Sequence, residues 1–363
     1  MFVFFLCYGL PAQRQREEPY WFSLEQGKQY FRNGAYGEAL LAFDTARRNR
    51  RAMYTRMERD FIDLLSIPEV RRLGDALDRV ETYILERNRV NAAAALEELY
   101  YRTPREALGN SALRALEWFD RLKNYPEAEY WIGETYRVEG ELGIALGQYQ
   151  RALDHRDLLE NSGFDAEILY RMAGIHRVRR NYPEMENRLL EILERDTLWA
   201  GDSRSFVKNA MVRTLENNGI DRFLTLYRYD NPVTERAHRI LGFFYYTTGR
   251  HSRAAEHLMF SFLIQNSAII EEIIRYRFDF TFTTMNNLMN ELNRRPGLST
   301  YLADVEYYKT IYYLAAALYG GGKAIPSREL WVFLSGRAAA GEWKTRADTQ
   351  LRRPFIEQPV EMP

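Results

Sequence analysis

Three stretches carry residue types that could do chemistry. Gly320-Gly321-Gly322-Lys323 places a lysine behind a run of glycines, as a phosphate-binding loop does. Such a loop also needs a glycine five residues before Gly322 and a Ser or Thr after the lysine, to hold magnesium. Ala317 and Ala324 stand there instead, so a turn between helices is the expectation. His251 and His257, with Glu256 beside them, are possible metal ligands. The third stretch is WIGETYRVEGELGIALGQYQRAL, residues 131–153, with glycines at 133, 140, 143 and 147. No G-x-S-x-G, H-E-x-x-H or G-x-G-x-x-G pattern occurs, and no spacing singles out one pair of carboxylates as acid and base. The sequence therefore predicts no catalytic residues, no metal and no cofactor.

Composition narrows the classes further. A 46 % hydrophobic and 28 % charged chain of 363 residues is expected to fold around a large core. Fifty basic residues balance fifty acidic ones, so bulk charge predicts no nucleic-acid partner. Only six of the basic residues are lysine; the rest are arginines, whose planar forks pair with carboxylates and stack on rings. No run approaches the roughly 18 to 20 apolar residues that span a bilayer. The opening MFVFFLCYGLPA is apolar and turns abruptly polar at QRQREEP, the pattern of an export leader ending near Ala12. Cys7 is the only cysteine, so no disulfide is expected in either compartment.

The glycine stretch makes sense once the elements around it are aligned. Ile132-Gly133 is followed by Tyr136, Gly140, Leu142, Ala145, Tyr149 and Ala152. From Gly27 the same offsets give Tyr30, Gly34, Tyr36, Ala39, Phe43 and Ala46, and from Gly242 they give Tyr245, Gly249, His251, Ala254, Leu258 and Ser261. A weaker copy starts at Ala173, with His176, Arg180, Tyr182, Met185, Leu189 and Ile192. His251 thus falls where Tyr36 and Leu142 stand in other copies, which assigns it to packing. Small residues let two helices approach closely, and a glycine in the left-handed region ends a helix. Each copy therefore predicts a helix–turn–helix. Between the copies, DALDRVETYILERN (75–88), NSALRALEWFDRLKN (110–124) and a degenerate pair at 205–228 continue the helical pattern, with Pro68, Pro104 and Pro126 as helix starts.

These offsets resemble the tetratricopeptide repeat, a helix–turn–helix of about 34 residues with an L-G-x2-Y … A-x3-F pattern. The resemblance covers residues 20–266. It implies an all-α, right-handed α-solenoid of antiparallel helix hairpins, with a divergent C-terminal helical cap over 267–345 and an extended tail at 346–363. Within 267–345, helix is expected through Tyr276, Phe278, Phe280 and Phe282 despite their alternation. A helix pair joined by the glycine turn follows.

In that family the first helices line a groove that holds a segment of another protein. Carried over by offset, the groove residues here are Lys28 and Phe31, then Tyr130, Glu134 and Arg137, then Tyr170 and Arg177, then Arg239, Phe243 and Tyr246. Tyrosines with fixed cationic forks suit an acidic or aromatic segment. Of the clamp that chaperone-binding members use, only Lys28 and Asn209 match. The expectation is a non-catalytic interaction scaffold, exported to the periplasm, serving an envelope machine such as outer-membrane assembly, secretion or the flagellar motor. The alternatives are an enzyme with its site in the divergent C-terminal region, and a nucleic-acid-reading repeat array.

Overall fold

A computed structural model describes residues 18–65, 79–80, 82–84, 86–100, 109–161, 163–194, 196–200, 204–292 and 294–358. The leader at 1–12, Pro68 and Pro104 lie outside them. Every regular element among the described residues is helical, as an all-α chain requires. The chain divides into two compact units, residues 1–168 and 169–363.

In the first unit, α1 (Tyr20–Arg32) and α2 (Tyr36–Leu65) form a hairpin, α3 (Arg89–Tyr100) and α4 (Gly109–Leu122) follow, and α5 (Pro126–Val138) and α6 (Leu142–Asp154) form a second hairpin. Helix α7 (Phe164–Val178) crosses the division between units. The second unit continues with α8 (Tyr182–Leu193), α9 (Thr197–Ala200) and α10 (Arg204–Leu226). The hairpin of α11 (Pro232–Thr247) and α12 (His251–Tyr276) comes next, then α13 (Met285–Leu292) and α14 (Pro296–Asp304). The last elements are α15 (Tyr307–Gly320), α16 (Ala324–Ser335) and α17 (Glu342–Arg352).

The aligned offsets mark real contacts. A Cβ on Gly133 would lie 2.8 Å from the Tyr149 ring, one on Gly242 2.5 Å from Leu258, and one on Gly27 would collide with Phe43. In each hairpin the ring or leucine sixteen residues on fills the space that the missing side chain leaves. Ala39, Ala145 and Ala254 sit fully buried on the facing helices. Seven residues after each of the three glycines the turn takes a left-handed residue: Gly34 (φ 77°), Gly140 (φ 87°) and Gly249 (φ 74°). In the fourth copy Arg180 adopts φ 56° without the freedom of a glycine. Pro126, Pro232 and Pro296 stand in the first turn of their helices, where the missing N–H costs nothing.

Three features depart from the expected regularity. Helix α2 runs 30 residues and α12 runs 26, far longer than one arm of a 34-residue repeat. Helix α10 is broken at Gly219 (φ 77°, ψ 178°), which separates the two members of the degenerate pair. The helix expected through Phe278 to Phe282 is absent: α12 ends at Tyr276 and the chain is turn and coil until Met285. Phe280 and Phe282 are buried while Thr281 between them and Thr283 after them are exposed. Tyr276 is the last residue of α12 and Phe278 is exposed, so the alternation holds only at Phe280 and Phe282, and no strand occurs among the described residues. The extended tail likewise begins at Arg353 rather than at 346, because α17 continues to Arg352.

Candidate functional site

In the first unit the residues carried over by offset are held by the chain's own side chains. Lys28 pairs with Glu25 at 2.6 Å, and its ammonium lies 5.9 Å from the Trp131 ring. Phe31 meets Trp131 edge-on at 5.4 Å. Tyr130 is buried, its ring edge-on to Phe164 at 4.7 Å and tilted against Tyr149. The buried Glu134 accepts from Arg137 through Nη2 (2.8 Å) and Nε (3.1 Å), and from the Tyr149 hydroxyl. The hydrogen bond to Glu134 pushes the Arg137 guanidinium further toward its charged form, while burial and the same carboxylate push the Tyr149 phenol up. This trio locks the ring that fills the Gly133 notch.

In the second unit Tyr170 is buried and donates to the Val233 carbonyl, with the Arg236 guanidinium 4.6 Å from its ring centre. Arg177 stands exposed, with no ion pair among the described residues. Arg239 donates to Glu235 (3.2 Å) and pairs with Glu306. Burial alone would raise the Glu306 carboxyl, but Lys309 and Arg239 together hold it low. Phe243 packs on Tyr313 at 5.4 Å under the Lys309 ammonium, 4.7 Å away. Tyr246 is buried against Tyr313 and His251, and its hydroxyl donates to the Glu357 carbonyl at 3.0 Å. Arg239, Phe243 and Tyr246 thus share one face of α11, and the chain's own C-terminal region covers it: Glu306 and Tyr313 from the helices, Glu357 from the coil after α17.

The coil after α17 supplied the signal that sequence reasoning missed. Glu357 also accepts from the Tyr312 hydroxyl (2.7 Å) and faces Arg346 (3.4 Å). Gln350, fully buried, donates to the Tyr312 oxygen at 3.3 Å and accepts from the Phe355 N–H at 2.9 Å. Nothing in the spacing of PFIEQ announces this; only the density of tyrosines in YYKTIYYLAAALY hints that hydroxyls there need acceptors.

The remaining histidines and buried carboxylates have partners within the chain. His251 packs on Tyr246, whereas His257 faces His238 inside the α11–α12 hairpin with Nδ1···Nδ1 3.1 Å. No group of three potential metal ligands occurs among the described residues. Burial, helped by the Lys208 charge, lowers His238 to about 3, so it is neutral. The buried Asp196 receives the N–H groups of Leu198 and Trp199 at the start of α9, and the hydroxyls of Thr234 and Tyr229. The buried Glu235 receives Ser261, Gln265 and Arg239. Both carboxylates are hydrogen-bond hubs between helices. Gly320 and Gly321 pack against His251 and the end of α15, Gly322 makes the turn at φ 79°, and the Lys323 ammonium reaches Glu216 at 3.0 Å. A cavity of about 870 Å³ opens beside Asp230, Ala268, Glu272, Arg275, Arg295 and Tyr301. Its carboxylate Glu272 pairs with Arg275 at 3.2 Å, and Arg295 lies over the Tyr276 ring at 4.8 Å.

The described residues form an all-helical chain in which most of the residues carried over by offset are held by other side chains of the same chain. No helix among the described residues is long and apolar enough to cross a membrane. Comparison with known proteins adds relatives without naming a role. The chain is 24 % identical over 342 residues to an uncharacterized protein of Treponema pallidum (strain Nichols), covering 94 % of this chain and 91 % of the relative. It is 19 % identical over 214 residues to an uncharacterized protein of Borreliella burgdorferi (strain ATCC 35210 / DSM 4680 / CIP 102532 / B31), covering 54 % of this chain and 66 % of that one. No family model matches it. No solved structure matches it either.

Proposed function

We propose that this chain is a non-catalytic interaction scaffold built from hairpins of the tetratricopeptide type, arranged as a right-handed solenoid and exported to act in a cell-envelope machine. One observation carries the reading. In three hairpins a helical glycine receives the side chain sixteen residues on, and a left-handed glycine closes the turn at the seventh residue. That contact set supports the repeat reading. Hairpins of this kind present the exposed face of their first helices to partners, and here Arg177 and Val178 of α7 stand free on such a face.

A photo-crosslinking residue placed at Arg177, and in a second chain at Ile144 on the second helix of a hairpin, tests the reading in cells. The expected result is a discrete protein adduct at position 177 and none at 144. Absence of any adduct from Arg177, Val178 and Lys28 sinks the scaffold. N-terminal sequencing of the mature protein tests export, which an intact Met1 refutes. The cavity beside α12 and α14 supports a second reading, a small-molecule or enzymatic site in the C-terminal region. That reading expects a ligand whose binding is lost on Tyr301→Ala.

A further inference from the structure

We propose that Tyr246, Tyr312 and Arg346 form a docking site for an acidic residue within an extended segment of another protein, and that residues 353–358 of this chain fill the site until that segment displaces them. The inference rests on the scaffold reading and names the chemistry of the partner.

Glu357 is read at two points. Its backbone carbonyl accepts from the Tyr246 hydroxyl at 3.0 Å, and its carboxylate accepts from Tyr312 at 2.7 Å with Arg346 at 3.4 Å. Recognition of a main-chain oxygen and a carboxylate on one residue selects an extended chain that carries Glu there. An apolar segment would still offer its main-chain carbonyl to Tyr246, but it would leave the Tyr312 hydroxyl without its acceptor and Arg346 without its carboxylate, at the cost of a buried polar group. The receiving side is fixed by three helices. Tyr246 comes from α11, Tyr312 from α15 and Arg346 from α17, and the Arg346 guanidinium lies 4.9 Å from the Trp343 ring. The buried Gln350 aligns the Tyr312 oxygen from below and takes the N–H of Phe355.

The occupant is held differently. Residues 353–358 have no regular structure, and Phe355 and Ile356 are 46 % and 52 % exposed, so the segment is tied by a few polar contacts rather than by burial. Segments with few buried apolar contacts open most readily. Each contact the segment makes is one that another extended acidic chain can reproduce.

The test uses the full chain and a fluorescent peptide of its residues 352–358, RRPFIEQ, in trans. Replacing Glu357 with Ala in the full chain frees the site, and its affinity for the peptide should exceed that of wild type at least tenfold. The same peptide with Gln in place of Glu should lose that gain, and Tyr312→Phe in the Glu357→Ala chain should weaken binding about fivefold or more. Equal binding by the wild-type and Glu357→Ala chains overturns the proposal, as does equal binding of the Glu and Gln peptides. Should Glu357→Ala fail to fold, hydrogen exchange on the wild-type chain decides: saturating peptide should speed exchange of the Phe355 amide at least tenfold, and an unchanged rate overturns the proposal. A wild-type dimer that dissociates on Glu357→Gln would make a second copy the occupant and overturn the assignment to another protein. The two readings fail separately. A partner cross-linked at Arg177 with no peptide binding leaves the scaffold and removes this site. Peptide binding with no cross-linked partner does the reverse.

Discussion

Gly133→Ala and Gly147→Ala introduce the same methyl group into adjacent helices of one hairpin and should shift stability in opposite directions. Glycine in a helix interior is disfavoured against alanine by roughly 0.5–1 kcal/mol. At Gly147 a Cβ meets nothing within 4 Å, so that gain should appear in full. At Gly133 the Cβ would lie 2.8 and 2.9 Å from Cε1 and Cδ1 of Tyr149 and 3.3 Å from the Cβ of Gln148. The ring has no simple retreat, because its hydroxyl is bonded to Glu134 and Glu134 is held by Arg137. Overpacking of this kind costs about 1–3 kcal/mol. Set against the propensity gain, the middle of these ranges leaves Gly133→Ala less stable by about 1 kcal/mol. In a Tyr149→Val chain, where the ring edge is gone, Gly133→Ala should turn neutral or stabilising, a coupling readable as a double-mutant cycle. Hydrogen exchange of peptides covering 126–154, with urea unfolding followed by circular dichroism, isolates this hairpin from the rest of the chain. A Gly133→Ala chain as stable as wild type, or a Gly147→Ala chain less stable, would refute the close-approach account.

Other perturbations follow from single side chains. Arg50 is 2 % exposed, ringed by Tyr20, Tyr54 and Tyr125, and donates Nε–H to the Leu122 carbonyl at 2.9 Å. Arg50→Ala should therefore destabilise the first unit by about 2–4 kcal/mol through lost packing, cation–π contact and an orphaned carbonyl, measured by urea unfolding. Arg180→Gly relieves a left-handed non-glycine turn and should stabilise by about 0.5–1 kcal/mol after the added freedom of the unfolded chain is subtracted; an unchanged or lower melting temperature counts against it. His238 is neutral in the folded chain down to about 3 but titrates near 6.5 when unfolded. The unfolded state therefore binds the extra proton below pH 6.5, and stability should fall with pH by about 1.4 kcal/mol per unit between pH 6 and 4. His238→Phe should flatten that slope in unfolding experiments across the range; an unaltered slope means another group is responsible.

What the sequence revealed and what it hid have one physical cause. Packing between the two helices of a hairpin is local. A glycine and a small residue at fixed offsets must meet across one turn, so spacing alone placed Gly27, Gly133 and Gly242 at close helix approaches, but it did not tell that Phe43, Tyr149 and Leu258 fill the notches. The 277–284 coil was misjudged because its alternating phenylalanines were weighed against helix-forming neighbours, and burial of Phe280 and Phe282 depends on helices that the spacing does not specify. The groove offsets pose the same problem from the other side. They named residues able to grip an acidic segment of another protein, whereas Tyr246 meets this chain itself, its hydroxyl donating to the main-chain carbonyl of Glu357, 111 positions along. Offsets within a repeat encode which way a side chain leaves its helix. They carry no information about which distant segment arrives to meet it, and for Arg239, Phe243 and Tyr246 that second fact decides whether the surface is open. The two contacts also differ in kind: one is a ring wedged into a glycine notch, the other a glutamate whose carboxylate meets the Tyr312 hydroxyl and whose main-chain carbonyl meets the Tyr246 hydroxyl, so spacing within one hairpin encodes the first and not the second.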